Sequence, residues 1–257
     1  MSSVICPLSI VPVRKEANDR SEMVTQWLFG ETAEVLEHSE KWSKLRFDHD
    51  GYEGWVDNKQ IAACPAPNYD PDLRVIDQTT IVDLADRQVL LPYGAVLPFF
   101  KEGSILWNDR RIPVKAVTNR ITDGARAEQL ELYLHPFLGA PYLWGGRSPC
   151  GVDCSGLTQM LYMLMGIYLP RDASQQAEEG DAVDLLDLAE PGDLAFFDNA
   201  EGRITHVGVI LPRSAEGDLP IAHSSGRVRI DRLDQEGIFN SEEERYTHKL
   251  RMVKRIL

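Results

Sequence analysis

Apolar and polar residues alternate over short runs through the first quarter of the chain. Ile10 to Val13, Thr25 to Leu28, Ala33 to Leu36, Trp42 to Phe47 and Gly54 to Val56 carry β-branched and aromatic residues. Gly30, Asp48-His49-Asp50-Gly51 and Asp57-Asn58 punctuate them. This pattern predicts short strands, and strands at this spacing predict a small barrel. Cys64-Pro65-Ala66-Pro67-Asn68-Tyr69-Asp70-Pro71 is a Pro-rich break and reads as a linker. Beyond it, Thr79 to Leu84, Gln88 to Leu91, Val96 to Phe100, Ser104 to Trp107 and Arg111 to Val114 predict a second small β-domain.

From about residue 125 the period changes. Leu130, Leu134, Phe137 and Leu138 recur at helical spacing, with Pro136 placed to end or bend the helix. A second helix follows Cys154, carrying the stripe Leu157, Met160, Leu161, Leu164 and Met165. Gly166 is placed to end it and Pro170 follows. After Pro191-Gly192-Asp193 the runs Leu194 to Phe197, Ile204 to Leu211, Pro220 to His223, Val228 to Ile230 and Arg251 to Ile256 predict strands. A helical half followed by an antiparallel strand half is an α+β domain. The expected division is therefore a β-domain at 1–65, a second at 66–124 and an α+β domain at 125–257.

Charge narrows the possible partners. The net charge of −13 argues against nucleic acid, which needs clustered Lys and Arg, and against docking on an anionic membrane or wall polymer. A small soluble substrate fits better. No apolar run approaches the roughly 18 residues of a membrane span. The opening Met1-Ser2-Ser3-Val4-Ile5-Cys6-Pro7 has no basic segment and reads as no secretory leader, so a cytoplasmic setting is expected.

Four cysteines, Cys6, Cys64, Cys150 and Cys154, are too few for a disulfide scaffold in 257 residues. Without Cys-x-x-Cys units or a second ligand cluster, no metal site is expected. Cys154 is different, because it directly precedes the amphipathic helix. The helix dipole and free N–H groups there favour a thiolate, which is a nucleophile awaiting a base. The position alone equally suits a buried, inert cysteine.

Two histidines weigh on that choice. His206 lies in a strand-like run, His223 in the next, and the turn-rich Pro212–Asp218 stretch separates them. They are equidistant from its middle, so a hairpin would set them facing each other. A base whose second ring nitrogen is held by a third group is the logic of a catalytic triad. His38, His49, His135 and His248 read as packing or surface residues.

Five ordered motifs complete the picture: Tyr142-Leu143-Trp144-Gly145-Gly146, Gly151-Val152-Asp153-Cys154-Ser155-Gly156-Leu157, Leu169-Pro170-Arg171-Asp172-Ala173-Ser174-Gln175-Gln176, Pro191-Gly192-Asp193-Leu194 and His206-Val207-Gly208-Val209. Together they resemble the NlpC/P60-type cell-wall cysteine peptidases. The resemblance implies a papain-like α+β catalytic domain, with Cys154 as nucleophile, His206 as general base and acid, and His223 as the orienting third member. It also implies that Tyr142 and the backbone at Cys154 stabilise the oxyanion, and that no cofactor is needed.

Trp42-Ser43-Lys44-Leu45 and Gly51-Tyr52-Glu53-Gly54-Trp55-Val56 resemble a bacterial SH3-like domain. One or two small all-β SH3-like barrels before such a catalytic domain resemble the γ-D-glutamyl-L-diamino acid endopeptidases. That resemblance implies hydrolysis of the γ-D-Glu–diamino acid bond in small murein peptides with a free N-terminal L-Ala. It places Asp153 and Ser155 at the substrate's amino end and Trp144 along the pocket. It assigns Ser174 to the substrate site, unless Ala173 takes that place, and an acidic residue and a tyrosine of the barrel as well, for which Glu31 and Tyr52 are the candidates. An acyl- or amide-transfer enzyme on the same fold and a non-catalytic wall-binding protein are the rival readings.

Overall fold

The computed structural model describes residues 3–64, 73–120 and 129–256. The expected linker lies outside the described residues except at Cys64, as does the expected boundary near residue 124. The chain divides into two compact units, Met1–Thr122 and Asp123–Leu257.

The first unit begins with β1 (Ser3–Ile5), β2 (Ile10–Arg14), β3 (Met23–Leu28), β4 (Thr32–His38), β5 (Trp42–Phe47), β6 (Glu53–Asp57) and β7 (Ala62–Ala63). Among the described residues they form one antiparallel sheet in the order β3-β2-β6-β5-β4-β1-β7. Alternation selects its inner face: Val11, Val13, Trp27, Ala33, Leu45, Phe47 and Val56 are buried together. Tyr52 is half-buried and packs against this cluster.

Glu31 is buried as well. The chain reverses after β3 at Gly30, where φ is 79°. A β-carbon there would fall 2.1 Å from the Val96 carbonyl oxygen, so glycine is required twice over. Glu31 then turns inward. Its Oε2 accepts from the Leu28 N–H at 3.0 Å, and its Oε1 accepts from Arg74 Nη1 at 3.1 Å. Both side chains are 1% exposed.

Residues 73–120 supply β8 (Leu73–Val75), β9 (Ile81–Asp83), β10 (Gln88–Leu90), β11 (Ser104–Trp107), β12 (Arg110–Pro113) and β13 (Thr118–Arg120). They pair as three antiparallel ribbons, β9 with β10, β11 with β12 and β8 with β13. Val96 to Phe100 does not form the expected strand. Only Val96 makes a bridge, to Arg74, and the chain then turns through Phe99 at φ 50°. Pro98 in this run offers no N–H to a sheet. The buried cluster of this region includes Ile5 and Phe29 of the first barrel, and Phe29 stacks on Trp107 with centroids 5.4 Å apart.

The second unit carries α1 (Leu130–Leu134), β14 (Arg147–Ser148), β15 (Gly151–Val152), α2 (Cys154–Leu164) and α3 (Ala173–Gln176), then β16 (Asp181–Ala182), β17 (Leu194–Asp198), β18 (Ile204–Ile210), β19 (Leu219–Ser225), β20 (Arg227–Leu233), β21 (Gly237–Asn240) and β22 (Arg245–Arg255). Strand β21 was not anticipated. It matters, because it pairs with both β20 and β22, closing β22-β17-β18-β19-β20-β21 into a barrel. Ala195, Phe197, Ile210, Leu219, Ile221, Leu233, Ile238 and Val253 fill its interior. Helix α2 packs against β18 and β19, and every one of its residues is buried. Gly166, at φ 90°, ends it where the sequence suggested. Pro136 terminates α1 by starting a single 3₁₀ turn, His135–Phe137. Among the described residues no helix is long and apolar enough to cross a membrane.

The Glu31–Arg74 pair gives a stability prediction. Arg74→Met should destabilise the protein by about 3 to 5 kcal/mol, because it strands a buried carboxylate. Adding Glu31→Gln should recover at least half of the loss. Urea unfolding of the two variants against the parent measures both effects.

Candidate active site

Asp153 organises the start of α2. It is the N-cap, with extended backbone at φ −91° and ψ 178°, and its Oδ1 accepts from the Gly156 N–H at 2.7 Å. Its Oδ2 accepts from the Gly145 N–H at 2.7 Å, which ties down the loop that carries Tyr142 and Trp144. Arg171 closes on the same carboxylate as a fork, with Nη1 3.0 Å from Oδ1 and Nη2 2.6 Å from Oδ2. Arg171 Nη1 also donates to Ser155 Oγ at 2.9 Å. Asp153 and Ser155 were expected to face the substrate's amino end. Here both oxygens of Asp153 and the hydroxyl of Ser155 are engaged within the chain, and each residue is 6% exposed.

Cys154 is the first residue of α2, as its position in the sequence required. The backbone N–H groups of Val207 and Ser155 act on its sulfur to lower its pKa. Val207 directly follows His206 on β18, and α2 packs against that strand. Ser224, next to His223, donates to the Val152 carbonyl at 2.8 Å. Gly156 is needed where the loop comes close, since a β-carbon there would lie 2.1 Å from the Gly146 oxygen.

Burial is the largest influence on the Cys154 thiol and the nearby Asp153 adds to it. Together they outweigh the two N–H donors and Arg171, and the thiol is pushed up to about 11. Burial, with His248 and His223 alongside, pushes His206 well below the ordinary imidazole value. Both shifts favour the neutral thiol and the neutral imidazole.

The two histidines do meet, though not directly opposite one another. Gly208 is the residue opposite His223, and His206 reaches it along the diagonal. The tight turn Ser214–Gly217, with Gly217 at φ 90°, sets the register one step beyond the middle of the loop. Thr205 is skipped in the β17–β18 pairing, a bulge that adjusts the aim of His206. The outcome is His206 Nε2 at 2.9 Å from His223 Nδ1. His223 Nε2 in turn lies 3.0 Å from Asp231 Oδ2.

Two members of this cluster escaped the sequence reading. His248, taken for a packing or surface residue, stacks on His206 with centroids 4.1 Å apart and planes 21° from parallel. Burial lowers its own value to about 4. Asp231, at 7% exposure, sits in a strand whose apolar neighbours Val228 and Ile230 drew attention to the opposite face. A buried acid between Ile230 and Arg232 was the available signal.

Nitrogens of His206, His223 and His248 all lie within 4.8 Å of one another. Within this group His206 and His223 bond each other and His206 stacks on His248.

Tyr142 is 37% exposed and close enough to Cys154 to feel its charge. Burial first, then Cys154 and Asp153, push its hydroxyl up to about 12, so it stays a donor. Trp144 is 59% exposed on the same loop. Ser174 is exposed on α3, whereas Ala173 is buried. Gln176 anchors α3 by donating to the Ser155 and Pro170 carbonyls at 3.1 and 2.8 Å.

A cysteine at a capped helix start, against a strand bearing a histidine chain, defines a cysteine peptidase of papain-like design. Residues 139–247 match the NlpC/P60 family, and residues 13–61 match the bacterial dipeptidyl-peptidase SH3 domain. The chain is 30% identical over 205 residues to a γ-D-glutamyl-L-lysine dipeptidyl-peptidase of Bacillus subtilis, covering 73% of this chain and 69% of that one. It is 29% identical over 241 residues to a protein of the same name from Bacillus cereus, covering 79% and 68%. A crystal structure of an NlpC/P60 family protein from Bacillus cereus shares the fold across 100% of both chains, with a TM-score of 0.79 at 22% identity. The chain belongs to the NlpC/P60 family, as a cysteine peptidase with an N-terminal SH3-like region.

The neutral resting pair carries a pH prediction. A thiol that ionises near 11 holds only about one part in ten thousand of thiolate at neutrality. Alkylation of Cys154 by iodoacetamide should therefore climb steadily from pH 6 to pH 10. Peptide mass spectrometry at each pH follows it, and a plateau already present at pH 7 would reveal a preformed ion pair.

Proposed function

We propose that this chain hydrolyses the γ-D-glutamyl–diamino acid bond of small peptidoglycan peptides that bear a free N-terminal L-Ala, in the recycling of murein peptides. The observation that carries the reading is the packing of α2, which begins at Cys154, against β18, which carries His206, in a chain whose relatives are named for this bond. A dipeptidyl-peptidase removes two residues from a free amino terminus, which fits L-Ala-γ-D-Glu as the released acyl part. The net charge of −13 favours a small soluble peptide over the wall polymer, and we place the activity in the cytoplasm.

The chemistry follows from the resting state. Cys154 Sγ attacks the γ-glutamyl carbonyl carbon as its proton passes to His206, so the thiolate forms only as it is consumed. The carbonyl oxygen takes up the negative charge beside the Tyr142 hydroxyl and the backbone N–H groups at the start of α2. Collapse breaks the C–N bond, and His206 returns its proton to the departing amine. Water, deprotonated by His206, then cleaves the thioester and restores the thiol. Trp144 offers an exposed aromatic face beside this centre, and the fixed pair of Asp153 and Arg171 shapes its floor.

Incubation with L-Ala-γ-D-Glu-meso-diaminopimelate and with its lysine counterpart, read by mass spectrometry, tests the proposal. Cleavage into L-Ala-γ-D-Glu and the diamino acid is expected, each product mass accounting for one added water. Cys154→Ala should abolish it and Cys150→Ala should leave most of it, Cys150 being exposed and outside the helix. His223→Ala should cost less than His206→Ala. The N-acetyl form of the same peptide should be cut at least about tenfold more slowly, as expected for a lost charge-assisted contact. Equal rates on free and acetylated peptides would remove the free-amine requirement. An acyl adduct in place of a hydrolysed product would mark a transferase.

A further inference from the structure

The hydrogen-bond chain that leaves His206 does not stop at His223. His223 Nε2 lies 3.0 Å from Asp231 Oδ2, and both side chains are buried, at 1% and 3% exposure. Arg229 holds Asp231 from the other side. Its Nη2 donates to Oδ1 at 2.9 Å and its Nε lies 2.7 Å from Oδ2. Arg229 is fixed in turn by the Asn240 side-chain oxygen at 2.9 Å and by Glu242 at 3.1 Å. The strand register explains the assembly. Arg229 is directly opposite His223, and Asp231 follows two residues on, so all three share the barrel's inner face.

We infer that Asp231, locked by Arg229, is the positioning residue that dictates the tautomers of His223 and His206, and thereby which nitrogen of His206 is bare. The inference rests on the reading of His206 as the proton carrier. Its logic is donor and acceptor accounting. A carboxylate can only accept, so His223 must carry its proton on Nε2. Its Nδ1 is then an acceptor. Across the 2.9 Å contact, His206 must supply the proton from Nε2. That leaves Nδ1 of His206 with a free lone pair, the state a general base requires. Ionisation of Asp231 fits this accounting. Burial alone would raise its carboxyl, but the hydrogen bonds from His223 and Arg229 hold it below the ordinary carboxylate range.

The same geometry acts again during turnover. When His206 takes the thiol proton it becomes a buried cation, which burial disfavours. His223 passes the field of Asp231 to it through two aligned hydrogen bonds. A merely structural buried ion pair would do none of this, and an apolar pair of like volume would hold the barrel at least as well. His248, the other titratable group against these rings, stacks on His206 and makes its Nδ1 contact with Thr247 Oγ1, so it does not compete for the chain.

The test reads the tautomers directly. In protein labelled with ¹⁵N-histidine, long-range ¹H–¹⁵N spectra at pH 7 should show the Nε2–H form for both His206 and His223. Asp231→Asn keeps the volume but removes the obligate acceptor. It should lower kcat at least about tenfold while moving KM by no more than about twofold, and His223 should then show both tautomers. A parent spectrum with the proton on Nδ1 of either histidine would overturn the inference, whether or not the variant folds. So would an Asp231→Asn protein with parental kcat and unchanged spectra. The spectra stand apart from the identity of the substrate. If no murein peptide is cleaved but the tautomers are as stated, the proposed function fails and this inference survives.

Discussion

The carboxylate of Asp153 is where the second unit's pieces are fastened together. One oxygen caps α2 through Gly156, the other holds the loop at Gly145, and Arg171 grips both. Three separate stretches of chain converge on these two atoms. None could keep its place if the charge were unpaired, because a lone buried carboxylate is costly. The position of Cys154 is a by-product of that fastening. The sulfur sits at the helix start because the preceding residue is committed to these four hydrogen bonds.

Burial governs what that sulfur can do. In papain-like chemistry a thiolate is often pictured as standing ready, and a helix N-terminus supports that picture. Here the sulfur is buried, and desolvation outweighs the two N–H groups that act on it. The same sealing keeps His206 neutral. In the reaction we propose, reactivity then depends less on a stored charge than on proton transfer to His206, whose ring is held by His223 and Asp231.

Much of this was legible in the chain. The strand Trp42–Phe47 and the helix from Cys154 stand out because their periodicity and end signals agree. The placement of Cys154 and of both histidines was visible through their setting: a small-residue loop before a helix, and two strands about a turn. What stayed hidden depended on closure. His248 lies on β22, which joins β21 only when the barrel completes, and nothing near it in sequence announces His206. Asp231 was masked by apolar neighbours that suggested the wrong inward face. Ile230 is 46% exposed, while the acid beside it is buried among charged partners. The diagonal approach of the histidines was equally invisible, because the register depends on where Gly217 places the turn. The fate of Glu31 turned on Arg74, 43 residues downstream.

That last contact bears on how such a chain can be assembled from parts. Phe29, Gly30 and Glu31 are three consecutive residues of one reversal. Each is spoken for by the stretch that follows the first barrel: Phe29 by Trp107, Gly30 by the Val96 carbonyl, Glu31 by Arg74. A gene segment encoding only the first barrel would export an unpaired acid and a bare aromatic with it. Recombination that moves this module into another protein therefore has to carry residues through about position 120, making the transferable unit about twice the length of the barrel it contains.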